Sequence, residues 1–297
     1  VRQGPAVRQD LEIPLPPDLK LHVLRNCDLD EIFRHINPVM LYTRHLGLKN
    51  FEKAFAQNEP KAVELRAQVE AVQETILARP DISANAVYKF FAAQSDGERM
   101  LIVSPDGNNV IETFVFARQS DEPGLCLADY VAPRAAGRID YICMFATAIG
   151  DGVRALAEEW KAKGEYLRSH ILQVLALEGA EASAELLHKK IRQMWGIGDP
   201  PGLTMKDLFQ ARYHGKRFSF GYPACPRLED QACLFRLLAV EENIGVHLTE
   251  GYMMDPESAV TALVFHHPEA KYFSLSPSDI ERFEREVSRP GEQPGAG

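Results

Sequence analysis

The pattern of apolar and polar positions changes character several times along the chain. Residues 1–26 show no helical period, and Pro14-Leu15-Pro16-Pro17 favours an extended path, so this stretch is expected to be a linker or strap entering a folded unit over residues 27–288. Asp28-Leu29-Asp30-Glu31 has the spacing of a capping box and predicts a short helix carrying Ile32, Phe33 and Ile36. From Ala62 to Arg79, Val63, Leu65, Val69, Val72, Ile76 and Leu77 recur at helical spacing, with Pro60 at the tolerated first turn and Pro80 as the stop. The period then shortens. Ala86 to Ala92, Arg99 to Ser104 and Val110 to Ala117 are rich in β-branched and aromatic residues and are separated by Gly- and Asn-containing turns, which predicts three consecutive strands.

Ile139 to Ala148 reads as a further buried strand, followed by helices over Val153 to Lys163 and about Glu165 to Met194. Helices are predicted again over Thr204 to Tyr213 and Arg227 to Asn243, strands over Val260 to Phe265 and Lys271 to Leu275, and a closing helix over Ser278 to Val287. The Pro- and Gly-containing residues 289–297 read as a disordered tail. Strands in succession without intervening helices give an α+β fold, a largely antiparallel twisted sheet with flanking helices, not a doubly wound sheet. Gly150-Asp151-Gly152 fits a loose nucleotide-binding pattern between strand and helix, but no second strand with an acidic end follows.

Composition narrows the classes. The chain has 297 residues, 45% hydrophobic and 25% charged, with a formal net charge of −9, which opposes a general nucleic-acid binder. No apolar run reaches membrane-spanning length, and Asp10, Glu12 and Asp18 interrupt any leader-like segment. Cys27, Cys126, Cys143, Cys225 and Cys233 are an odd, scattered set that reads as reduced thiols of a cytoplasmic protein, and neither C-x-x-C nor H-E-x-x-H is present to suggest zinc. His266-His267-Pro268 reads as a strand terminator, not a metal site. The first residue is Val1, from which a fragment or processed product is expected.

The most informative run is Arg217-Phe218-Ser219-Phe220-Gly221-Tyr222-Pro223-Ala224-Cys225-Pro226. It sets a guanidinium fork beside a backbone held irregular by two prolines and a glycine, which suits a carboxylate and a flat heterocycle in one pocket. The residues alone are equally consistent with a rigid surface turn. The run resembles the R-x-x-x-G-Y-P-A-C-P signature of the C-terminal activation (reactivation) domain of cobalamin-dependent methionine synthase, which binds S-adenosylmethionine. The resemblance continues through Leu127-Ala128-Asp129-Tyr130-Val131-Ala132-Pro133, Asp140-Tyr141-Ile142, Ala180-Glu181-Ala182-Ser183-Ala184-Glu185-Leu186-Leu187-His188, Leu248-Thr249-Glu250 and His267-Pro268-Glu269-Ala270-Lys271-Tyr272-Phe273, covering about residues 28 to 288.

The resemblance implies site residues one by one. Arg217 matches the arginine that holds the ligand carboxylate, and Gly221, Tyr222 and Ala224 match the loop lining adenine and ribose, although Tyr222 could instead anchor the loop in the core. Tyr272 and Phe273 match an aromatic pair at the ligand; on a strand one would face the pocket, with Tyr272 chosen, and the other the core. Glu181 matches a carboxylate that meets a cationic ligand group, the alternative being a solvated helix face shared with Glu185. Asn37 stands where a well-studied branch has an aspartate, and a second family carboxylate falls on Ala211.

By resemblance, the domain restores a neighbouring domain's oxidised cobalamin. A flavodoxin-type donor supplies an electron to cob(II)alamin, and S-adenosylmethionine then methylates the reduced cobalt to give methylcobalamin. The chain has no D-x-H-x-x-G segment for a cobalamin ligand, and zinc belongs only to the full protein, so the isolated chain is expected to bind S-adenosylmethionine without turning over. Two alternatives remain: a separate corrinoid-reactivating protein, or a non-catalytic module docking the electron donor through Lys189, Lys190 and Arg192, or Lys216.

Overall fold

A computed structural model of the chain describes residues 7–150 and 152–287, so the tail expected over 289–297 lies outside the described residues. The chain enters as strand β1 (His22–Cys27), then helix α1 (Leu29–Arg34), a π-helical turn (Val39–His45), α2 (Phe51–Ala56) and α3 (Pro60–Leu77). A meander follows, β2 (Ala84–Asp96), β3 (Arg99–Val103) and β4 (Val110–Val115), then β5 (Asp140–Ile149), α4 (Gly152–Ala162) and α5 (Tyr166–Met194). The remainder is α6 (Met205–Phe209), β6 (Lys216–Phe218), α7 (Gln231–Leu238), α8 (Val240–Ile244), β7 (His247–Leu248), β8 (Met254–Asp255), β9 (Ala259–Phe265) and α9 (Pro277–Val287).

Six strands run in the order β4-β3-β2-β5-β9-β6, with β1 added to β2, and every pairing is antiparallel. The long β2 serves two neighbours on one side: its start pairs with β1 (His22↔Tyr88) and its end with β3 (Ala92↔Val103). The extended course expected up to residue 26 therefore ends as a paired strand. Both faces of the sheet are covered. Ala86, Tyr88, Phe90, Phe145 and Val264 pack against Ala180, Ala184, Leu187 and Ile191 of α5 and Trp195 at its C-terminal end, whereas Val87, Phe91, Met144 and Leu263 pack against Leu234, Phe235 and Leu238 of α7. Double coverage explains why these strands read as nearly continuous apolar runs instead of clean alternations.

Asp28 caps α1 as its spacing predicts, accepting from the amides of Asp30 and Glu31. Three expectations need correction. The helix predicted over Thr204 to Tyr213 is only α6: Thr204 and Asp207 form a reciprocal capping box, and the turn ends as Ala211 adopts φ 51° and the Arg212 amide reaches back to the Asp207 carbonyl. The helix predicted over Arg227 to Asn243 breaks into a short turn, α7 and α8, because Ala239 is left-handed. Residues 271–275 form no strand, since β9 already has β6 on its outer side; the segment is tied down singly, by the Leu275 amide on the Pro223 carbonyl and by Tyr130 Oη on the Lys271 backbone. The glycine turn before α4 is structural: the amides of Gly150 and Gly152 bond to the carbonyls of Ser83 and Asp81.

Asp279 locks α9 to the body by accepting from the amides of Ser120 and Ser276 and from Ser276 Oγ. Burial alone would raise its pKa, but these bonds outweigh it and hold the carboxyl down at about 2. A carboxyl depressed in the folded state contributes stability that is present above its unfolded pKa and lost as pH falls towards the folded value. Asp279→Asn is therefore expected to lower stability at neutral pH and to flatten its decline between about pH 4 and pH 2, as measured by urea unfolding across that range.

Candidate functional site

A groove of about 510 Å³ opens between α5, the turn after α1 and the α6–β6 connection, lined by Asn37, Glu178, Glu181, Glu185, Tyr213, Arg217, Tyr222 and Tyr272 among others. A second recess of about 400 Å³ meets it at Glu181, Arg217, Tyr222 and Tyr272 and continues past Pro223, Ala224 and Phe273. A larger hollow of about 690 Å³ lies beside them between α4, α5 and residues 255–258, where Arg154 is already bonded to Asp255, and none of the expected site residues lines it.

Each wall follows from local sequence. Strand β6 pairs Arg217 with Val264, and alternation sends Phe218 into the core and Arg217 to the opposite face. Glu178, Glu181 and Glu185 are three and four residues apart and so share one face of α5. The loop after β6 is closed by the Gly221 amide on the Cys225 carbonyl and the Cys225 amide on the Tyr222 carbonyl. Gly221 sits at φ 84°, where a Cβ would lie 3.0 Å from Leu228 Cδ1. Gly221→Ala should therefore cost about 1–2 kcal/mol of stability, read by denaturant unfolding, with the loss concentrated in this loop.

Arg217 dominates the electrostatics. Its Nη1 lies 2.5 Å from Glu185 Oε2 and 3.5 Å from Tyr213 Oη, and its Nη2 is 4.0 Å from Glu181 Oε2. Burial opposes the guanidinium charge, but Glu185 and the nearby phenols overcome it and raise the pKa further. For Glu181, burial against the groove wall pushes the carboxyl up, Arg217 only partly opposing it and Glu178 and Glu185 adding to it. Its negative charge is thus under-compensated. Glu178 is held by His45 Nε2 at 2.8 Å.

All eight expected residues line one or both recesses except Gly221, which shapes the loop behind them. Tyr222 is 59% exposed, so it is a groove wall and not a core anchor. Tyr272 is 53% exposed and lines both recesses while its ring also meets Phe218, and Phe273 packs on the core beside Phe218 and lines the second recess, so the clean division expected of a strand is not kept where no strand forms. Asn37 lines the groove, but its Oδ1 already accepts the Val39 amide at 3.0 Å. Ala211 also lines it, without a carboxylate. For Glu181 the solvated-face alternative is half met, since its side chain is 43% exposed yet lines both recesses, while Glu185 on the same face is buried. Arg192 is fully buried and bonded to Asp199, so it offers nothing to a docking partner, and Lys216 Nζ is spent on the carbonyls of Tyr213 and Gly215. His266 bonds to Asp140 and His267 to the Arg8 carbonyl, and no metal-binding cluster occurs among the described residues. Sequence reasoning missed His35, Met40, His45, Phe209 and Tyr213 as lining residues, although His35 and Met40 flank Asn37 and Tyr213 stands four residues before Arg217.

A family model described as vitamin B12 dependent methionine synthase, activation domain, matches residues 28–289. The chain belongs to that family of activation domains. Methionine synthase of Mycobacterium tuberculosis (strain ATCC 25618 / H37Rv) is 29% identical over 289 residues, which are 91% of this chain but 24% of that relative. Among solved structures, the crystal structure of the MetH reactivation domain bound to AdoHcy superposes with a TM-score of 0.85 at 27% identity, covering 94% of this chain and 89% of that one. The activation-domain signature Arg217 to Pro226 and the Ala180 to His188 stretch of α5 thus meet across one groove.

Proposed function

We propose that this activation domain binds S-adenosylmethionine in the groove and presents its methyl group to a cobalamin carried by a neighbouring domain of a methionine synthase. One observation carries the reading: a guanidinium and an under-compensated carboxylate, Arg217 and Glu181, stand 4.0 Å apart at the junction of two recesses. The ligand has an amino-acid end with both charges and an adenosyl end that is flat and largely apolar. Arg217 Nη2 receives the carboxylate, and a charge-assisted bond of this kind contributes about 1.5–3 kcal/mol. Glu181 meets the α-ammonium or sulfonium, a contact that would pull its raised pKa back down. Asn37 Oδ1 keeps a second lone pair after accepting from Val39, so it can add a neutral contact only.

The adenosyl end fits the second recess, with the Tyr222–Ala224 backbone and the Tyr272 and Phe273 rings around it. The groove volume of about 510 Å³ lies within the usual 300–1,000 Å³ range of small-molecule sites. The exposed faces of Tyr222 and Tyr272 also suit a sulfonium cation. A reduced cobalamin on the neighbouring domain, with a flavodoxin-type donor as the electron source, would supply the nucleophile for the sulfonium methyl. This chain's residues do no acid–base chemistry; they bind, orient and hold the methyl outward, the positional part of catalysis. Calorimetric titration with S-adenosylmethionine tests the reading: one saturable site is expected, and a folded chain that gives no heat would overturn it.

A further inference from the structure

Behind Arg217 a chain of buried polar and charged groups runs from the groove wall into the body of the protein. Arg192 is fully buried and grips Asp199 with two bonds of 2.8 Å, Nε to Oδ1 and Nη2 to Oδ2. Its guanidinium lies 3.8 Å from the centre of the Tyr213 ring, and His188, one turn earlier on α5 and also fully buried, meets that ring edge-on at 5.1 Å. Tyr213 Oη in turn donates to Glu185 Oε2 at 3.3 Å, the oxygen that Arg217 Nη1 approaches at 2.5 Å. Glu185 is 8% exposed. Arg192 Nη1 is 4.0 Å from Glu185 Oε1, and neither atom makes a hydrogen bond among the described residues.

We propose that Glu185 is a positioning residue that closes the Nη1 edge of Arg217 and thereby turns the Nη2 edge into the groove as the single face offered to a carboxylate. The inference rests on the S-adenosylmethionine reading for its ligand, but not for its geometry. Arg192 is committed to Asp199, so the charge of Glu185 is answered chiefly by Arg217. Tyr213, in ring contact with Arg192 and His188, donates to the same carboxylate and keeps it from rotating away. An arginine left free on this short edge strand would sample several rotamers, and each ligand would have to order it at an entropic cost. Held by Glu185, it is ordered in advance.

The test separates positioning from simple stability. Glu185→Gln keeps the shape and an accepting oxygen but removes the charge. Wild type and variant are titrated with S-adenosylmethionine and with methylthioadenosine, which lacks the amino-acid end. Nitrogen-detected NMR of the ligand-free proteins reports whether the two Nη groups of Arg217 are resolved, as restricted rotation requires. The expected result is resolved signals in wild type that merge in E185Q, with S-adenosylmethionine weakened about tenfold, the scale of one charge-assisted bond, and methylthioadenosine unchanged. Equal weakening of both ligands, or an Arg217 as restricted in E185Q as in wild type, would overturn the proposal. If wild type binds neither ligand, the ligand reading fails and the NMR comparison alone decides the positioning role. If E185Q does not fold, Tyr213→Phe decides: partly merged signals with methylthioadenosine binding intact support the role, and unchanged signals remove it.

Discussion

Arg217→Ala is expected to weaken S-adenosylmethionine binding at least tenfold, about 1.4 kcal/mol, in calorimetric titration beside the wild type. The direction follows from two losses that add. The ligand carboxylate loses its charged partner, and Glu185, almost fully buried, loses the guanidinium 2.5 Å away. The second loss falls on the protein itself, so the variant should also melt earlier. Arg217→Lys restores the charge but not the fork, and should recover stability better than affinity, because one ammonium cannot meet Glu185 and a ligand carboxylate in the same planar geometry. An alanine variant that bound as tightly as wild type would remove Arg217 from the site.

Trp195→Ala should produce the largest loss of stability, about 3–5 kcal/mol by denaturant unfolding, the usual range for deleting a fully buried indole. Trp195 is 1% exposed at the end of α5, stacks edge-on against Phe90 at 5.1 Å and His266 at 5.2 Å, and donates Nε1–H to the Pro14 carbonyl at 3.0 Å. The truncation therefore opens a cavity between helix and sheet and frees the proline-rich entry segment. Residues before β1 should become cleavable by protease in this variant at concentrations that spare wild type. A loss below about 1 kcal/mol would mean that the site collapses around the missing ring.

The sequence was most legible where one physical cause dominated. The meander and α5 were readable because their apolar periods are long and agree with their turns, and the loop after β6 because only Gly and Pro suit its path. The pieces that escaped are those whose structure is set by distant partners. Strand β6 is three residues long and exists because β9 offers an edge; β1 pairs with β2 from within a stretch whose composition says only that it is extended. Residues 271–275 have the composition of a strand and the surroundings of a loop, so propensity lost to topology. At the site, the recognised residues could be named, but their electrical partners could not. No spacing in the sequence reveals that Glu185 faces Arg217 while Glu181, one turn earlier, faces open groove.

The groove is also a test of whether the whole chain is assembled. Its walls come from residue 37, from the middle of α5, from the loop at 217–224 and from residue 272, so no local segment holds a partial version of it. Ordering it requires long loops to close, steps that come late and add little until the rest is in place. A ligand that recognises all four walls would bind the native state and not the unfolded chain, and at 100 times its dissociation constant would add about 2.7 kcal/mol to stability. Removing either end, through residue 37 or from residue 272 onward, would abolish that gain rather than reduce it. The ligand therefore reads the integrity of the entire domain.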